Sequence, residues 1–159
     1  MKPMVYIETS VISYLTAWPS RDVVTAARQT WTRDWWNIAA DHWTLAVSEL
    51  VVEEAARGDE SAAARRLEVL RGLDIVPVSL EAQTLARRLI EAGALPPTEA
   101  EDALHIALAT ECGARYLVSW NFAHLVGPDA KVRILDAVRS CGKVPALLTT
   151  PEELLEVMR

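Results

Sequence analysis

Val5-Tyr6-Ile7-Glu8-Thr9-Ser10 is the stretch on which the fold turns. Three apolar residues in a row read as a strand covered on both faces, and Thr9 to Leu15 reads as the helix that follows it. Glu8 sits directly at the handover. A charge at the end of a central strand is costly to bury unless something pairs with it. Three further apolar runs end in the same way: Val47-Ser48 with Glu53-Glu54 just beyond, Glu101-Asp102-Ala103-Leu104, and Leu117-Val118-Ser119-Trp120-Asn121. Polar side chains placed where strands end, or in the first turns of helices, can converge on one point in an α/β fold.

Outward from that opening, strands and helices alternate. A long helix is expected from about Asp22 to Ala40, with Val24, Arg28, Trp31, Trp35 and Ile38 forming its inward stripe. Trp43 to Val47 reads as a second strand, and Ser48 as the N-cap of a helix carrying Leu50, Val51 and Glu54 that stops near Gly58. Glu60 to Leu70 is a further helix. Ile75-Val76-Pro77-Val78 suits an edge strand, since proline cannot donate to a sheet ladder. Ser79 caps a helix through Glu91, and Thr98-x-x-Glu101 has the form of a capping box before a helix reaching about Cys112. Arg115 to Ser119 reads as a strand, Val132 to Ser140 as a helix, and Pro145 to Leu148 as a last strand. The expectation is one α/β domain over residues 1–159, a three-layer α/β/α sandwich with a central parallel sheet. Ligands of such sheets bind beyond the carboxyl ends of the strands, where Glu8, Ser48 and Asn121 fall.

Composition agrees with this and narrows the function. With 159 residues, 51% of them hydrophobic, the chain can bury a sizeable core. No apolar run approaches the roughly 18 residues of a membrane span, and no charged-then-apolar signal segment is read at the start. Cys112 and Cys141 stand apart with no CxxC spacing, which disfavours zinc and disulfide readings and suggests a cytoplasmic protein. A net charge of −6 argues against broad electrostatic binding of nucleic acid but not against a nuclease, because bound cations offset carboxylates locally.

Single acidic residues have structural explanations. Glu101 completes the Thr98 capping box, and Asp102 favours the positive end of a helix. Glu53 and Glu54 point in different directions, so at most one faces a common site. It is the joint placement that is informative. Carboxylates of Glu8, Glu54 and Asp102 about 5 Å apart would repel by roughly 3 kcal/mol per pair at an effective dielectric of about 20. Either one carboxyl stays protonated or a cation binds. Oxygen donors of this kind suit Mg2+ or Mn2+, and such ions activate water and steady leaving oxygens in phosphodiester cleavage.

The four breaks, in this order and spacing, resemble the PIN-domain family, especially the VapC-like ribonuclease toxins of bacterial toxin–antitoxin pairs. The resemblance runs from Tyr6-Ile7-Glu8-Thr9-Ser10 to Ser119-Trp120-Asn121. It implies a metal-dependent endoribonuclease in which Glu8, Glu54 and Asp102 hold Mg2+ or Mn2+. Glu54 is favoured over Glu53 because Gly58 lies four residues later, and Asp102 opens the Ala-rich run Asp102-Ala103-Leu104-His105-Ile106-Ala107. Asn121, two residues after Ser119, would orient the attacking water or lend an amide oxygen, with Ser10, Ser119 and Trp120 in support. The resemblance also implies an RNA substrate, a cognate antitoxin that occludes the site, and a homodimer. Two departures stand out. Glu8 is one methylene longer than the usual aspartate, and Asn121 lacks a charge, which favours one firmly held ion, a second arriving only with substrate.

Other residues have competing readings. Trp31 and Trp35 are one helical turn apart and are expected in the core or at a subunit contact, whereas Trp36 points away toward a partner surface. Trp120 could flank the site and stack on a nucleotide. His105 and His124, three residues beyond Asp102 and Asn121, are read as packing or surface histidines. Ser10 and Ser48 lack a His–Asp pair, which argues against serine hydrolase chemistry. The rivals to a nuclease are a non-catalytic PIN-like module that binds RNA or protein, favoured by Glu8 and Asn121, and a phosphatase or other nuclease on a related sheet.

Overall fold

A computed structural model describes residues 1–158; Arg159, the last residue of the expected domain, lies outside them. Its strands are β1 (Met4–Ile7), β2 (Thr44–Ser48), β3 (Asp74–Val76), β4 (Tyr116–Val118) and β5 (Leu147–Thr149). They form one sheet in the order β3-β2-β1-β4-β5, and every pairing is parallel. The connections hold α1 (Thr9–Thr16), α2 (Val23–His42), α3 (Glu49–Ala55), α4 (Glu60–Leu70), α5 (Leu80–Glu91), α6 (Ala100–Glu111), α7 (Pro128–Ser140) and α8 (Pro151–Glu156). Val5, Tyr6 and Ile7 of β1 are all 0% exposed. Successive strand residues face opposite ways, so both faces of the sheet are covered, and the fold is the expected α/β/α sandwich.

The order of the strands positions the site. The chain winds outward from β1 to β2 to β3, then returns to the other side of β1 as β4. The winding therefore reverses between β1 and β4, and the carboxyl ends at such a reversal open into a crevice. Ile7 pairs with Val118, and the Glu8 N–H donates to the Val118 carbonyl at 3.0 Å. Glu8 and Ser119 therefore leave the sheet side by side.

Several expectations shift. The inward stripe of α2 is Gln29, Thr32, Trp35 and Ala39, rather than the set starting at Val24, which is 56% exposed. Two polar residues displace the apolar ones because both are fully used. The Gln29 amide donates to the Trp18 carbonyl and accepts from the Ser20 N–H, each at 3.0 Å. Thr32 accepts the Trp120 indole N–H at 2.8 Å and donates to the Arg28 carbonyl at 2.6 Å. Trp35 is fully buried against Trp36 and Trp43, so Trp36 packs on the core instead of facing outward.

The Thr98–Glu101 capping box does not form. A 3-10 turn over Pro97–Glu99 leads into α6 with no side-chain cap, and Glu101 pairs with Arg57 at 3.1 Å instead. Helix α7 starts at Pro128, four residues earlier than expected, and α8 was not anticipated, although Thr150 and Glu153 give it a full capping box. Strand β3 is an edge strand, as expected, although Pro77 lies just past its end instead of within it.

Candidate active site at the carboxyl end of the sheet

Glu8 is the most enclosed of the acidic residues, 6% exposed at the end of β1. Its Oε1 accepts from the Ser119 hydroxyl at 2.5 Å and the Ser10 hydroxyl at 2.6 Å, and its Oε2 accepts from the Ser10 N–H at 2.9 Å. Each serine is locked in turn. The Trp120 N–H donates to Ser10 Oγ and the Asn121 N–H to Ser119 Oγ, both at 2.9 Å. A buried carboxylate is tolerated when its oxygens are satisfied in this way. The arrangement also ties the start of α1 to the loop after β4.

Glu54 reaches the same place from α3. Its Oε1 accepts the Thr9 hydroxyl at 2.6 Å and faces His105 Nε2 at 2.6 Å. Glu53 turns to solvent and pairs with Arg57 at 3.6 Å. Burial would raise the Glu54 pKa, but the hydrogen bond and charge of His105 outweigh it and hold the carboxyl at about 2. Burial would likewise lower the pKa of His105, yet the hydrogen bond to Glu54 and the charges of Glu8, Glu54 and Asp102 raise it above 6.5.

Asp102, half-buried in the first turn of α6, accepts from the Asn121 side-chain N–H at 3.2 Å. Burial pushes its pKa up to about 6, with the charges of Glu8 and Glu99 adding to the rise against the opposing pull of His105 and His124. The amide oxygen of Asn121 is engaged elsewhere, accepting the His124 N–H at 3.0 Å to cap a π-helical turn over Phe122–Val126. Gly127 closes that turn, and a Cβ there would stand 2.2 Å from the Phe122 carbonyl oxygen.

The expected residues meet, but in two adjoining groups. Glu8, Glu54 and His105 each offer a donor atom within 4.8 Å of the others, and so do Glu99, Asp102 and His124. Asp102 bridges them electrostatically through Glu8. Ser10 and Ser119 hold Glu8 directly. Trp120 contributes its backbone N–H, while its ring is 5% exposed, stacked on Trp31 at 6.2 Å, and so closed to a nucleotide. His105, Tyr6 and Thr9 also join the cluster, His105 in place of the packing or surface role its sequence context implies. The three-residue step from Asp102 placed His105 on the correct face, but nothing in the sequence showed that Glu54 would lie opposite it.

Among the described residues, no lysine or arginine forms an ion pair with Glu8, Glu54 or Asp102. Three carboxylates in these adjoining groups, Glu54 balanced by His105 and Asp102 driven to hold a proton up to about pH 6, make a donor set that fits a hard divalent cation. No helix among the described residues is long and apolar enough to cross a membrane.

The PIN domain model matches residues 5–121, which takes in every residue of this cluster from Glu8 to Asn121. The chain belongs to the PIN domain family. Its sequence matches no curated protein at a significant level. Among solved structures, this PIN domain is similar to the VapBC2 complex of Rickettsia felis bound to a DNA fragment from its promoter. The TM-score is 0.59 at 17% identity, over 92% of this chain and 98% of that one. It is also similar to VapC20 of Mycobacterium tuberculosis, a toxin that cleaves the sarcin–ricin loop. There the TM-score is 0.55 at 16% identity, over 75% of this chain and 91% of that one. At such identities the likeness is one of fold.

Proposed function

We propose that this PIN domain is a Mg2+- or Mn2+-dependent endoribonuclease and the toxin of a toxin–antitoxin pair. The observation that carries the reading is the convergence of Glu8 and Glu54, with Asp102 in the adjoining group, at the reversal point of the sheet, where no lysine or arginine among the described residues forms an ion pair with any of the three. Family membership and the fold shared with VapBC2 and VapC20 support it.

Glu8, Glu54 and Asp102 would hold the ion. Bound there, it supplies positive charge for the scissile phosphate and acidity for the attacking water. The chain's own groups do the rest. Ser10 and Ser119 keep Glu8 fixed, Thr9 and His105 keep Glu54 fixed, and Asn121 holds Asp102 while its amide oxygen caps the following turn. Water adds to phosphorus, the bond to the ribose oxygen breaks, and that oxygen leaves with a proton. One ion is expected to bind tightly without RNA, a second only with substrate. The same reading makes the chain one domain, a cytoplasmic homodimer whose antitoxin covers the crevice.

The test uses purified protein and a generic single-stranded RNA. Cleavage should require added Mn2+, stop with chelator, and vanish in Asp102→Asn. The uncharged Asn121, with its amide oxygen already engaged, favours one rival: a PIN module that binds RNA or protein without cutting. Normal Mn2+ binding with no cleavage of several RNAs would favour that rival. Activity on small phosphate esters but not on RNA would instead indicate a different phosphatase.

A further inference from the structure

A chain of buried polar groups crosses the core and ends on Glu54. Ser48, at the end of β2, has its Oγ 2.8 Å from the Tyr6 hydroxyl, in the centre of the neighbouring strand. The Tyr6 hydroxyl lies 2.8 Å from His105 Nδ1, and His105 Nε2 lies 2.6 Å from Glu54 Oε1. Ser48, Tyr6 and His105 are all 0% exposed. Ser48 Oγ also accepts the Val51 N–H at 3.2 Å, which anchors the far end to the helix that carries Glu54.

Core packing does not require these groups. A phenylalanine would fill most of the space of Tyr6, and an apolar side chain that of His105, without the cost of burying a hydroxyl and an imidazole. The pattern is directional as well. Nε2 carries a hydrogen whenever it donates to the Glu54 carboxylate, and Nδ1 is held by Tyr6, so the ring can neither rotate nor withdraw. Oε1 of Glu54 receives the Thr9 hydroxyl in addition, so two donors fix the carboxylate plane.

We propose that His105 is a positioning residue that presents Glu54 Oε2 to a divalent cation, with Tyr6 and Ser48 holding His105 in place. This rests on the metal-centre reading above. His105 touches the carboxylate rather than the ion, in the way that outer groups orient metal-binding carboxylates elsewhere.

The experiment measures Mn2+ binding to the full chain by calorimetry, with thermal melting to confirm folding. His105→Leu should bind about 10–100-fold more weakly, the usual loss when such a supporting group is removed. Gln can place its amide N–H near the position of Nε2, so His105→Gln should recover most of that affinity. Tyr6→Phe, which removes only the hydroxyl, should weaken binding less than His105→Leu and provides the test if the leucine variant does not fold. Electron spin-echo spectra of the Mn2+-loaded protein should show no directly bound nitrogen. A directly bound nitrogen, or unchanged affinity in folded His105→Leu and in Tyr6→Phe, overturns the proposal. Wild-type protein that binds no Mn2+ overturns the metal centre and this inference together, an outcome distinct from variants that bind as well as wild type.

Discussion

Asp102→Asn should make the protein more stable while it destroys the proposed chemistry. The Asp102 carboxyl has its pKa raised from an ordinary 3.8 to about 6 by burial first and by Glu8 and Glu99 next. Its ionised form is therefore disfavoured in the folded state, fully so above about pH 6, and the penalty fades as the pH falls toward 3.8. A rise of this size corresponds to about 3 kcal/mol, which we halve to about 1.5 kcal/mol because a half-buried carboxylate is screened by solvent. Asparagine is uncharged at every pH and still offers an oxygen to the Asn121 amide. For a domain of this size about 1 kcal/mol shifts the melting temperature by about 2–4 °C, so the variant should melt about 3–6 °C higher at pH 7.5 in chelator. The advantage should shrink at pH 5 and be gone near pH 4. Added Mn2+ should raise the melting temperature of wild type more than that of the variant. A variant that melts lower than wild type in chelator at pH 7.5 would show that Asp102 is not under electrostatic stress.

Other perturbations probe the parts around it. Gly127→Ala would drive a Cβ against the Phe122 carbonyl oxygen at 2.2 Å, so the π-helical turn must move. We expect a loss of about 1–3 kcal/mol in denaturant titrations, with weakened RNA cleavage, and wild-type behaviour in both would count against the turn as a spacer for Asn121. Thr32→Val keeps the shape of α2 but strands the buried Trp120 indole N–H, and should cost about 1–3 kcal/mol in the same titration. Glu54 has its pKa lowered to about 2, so the stability it contributes is present above about pH 4.5 and is lost as the pH falls toward 2. Acid unfolding followed by circular dichroism should be less steep across that window in Glu54→Gln; an unchanged slope would refute the link.

The sheet was legible because its strands are short apolar runs punctuated by polar residues, and those same breaks mark the carboxyl ends where Glu8 and Ser119 emerge. The approach of Glu8 and Glu54 could be anticipated for the same reason, whereas the grouping of Asp102 with Glu99 and His124 could not. What escaped was information that exists only across the fold. The α2 stripe agrees with the expected one only at Trp35, because Gln29 and Thr32 are buried through hydrogen bonds to a loop and to Trp120, partners that periodicity cannot reveal. The capping box at Thr98 lost to a 3-10 turn, with Glu101 drawn away by Arg57, 44 residues distant in sequence. His105 reads as a packing or surface histidine in the sequence because its partners, Tyr6 and Glu54, arrive from β1 and α3.

Glu8 has a significance that outlasts any activity. The two serines it secures are the attachment points of two consecutive backbone amides after β4, so this side chain doubles as the latch for the segment bearing Asn121. Asp102 reaches that segment through a longer hydrogen bond, from the Asn121 side chain at 3.2 Å, which an uncharged asparagine could also accept. A descendant drifting toward a silent scaffold could discard Asp102 at little structural cost, whereas shedding Glu8 would unfasten the segment itself. Loss of the proposed activity would thus show first at the helix, while the glutamate stayed.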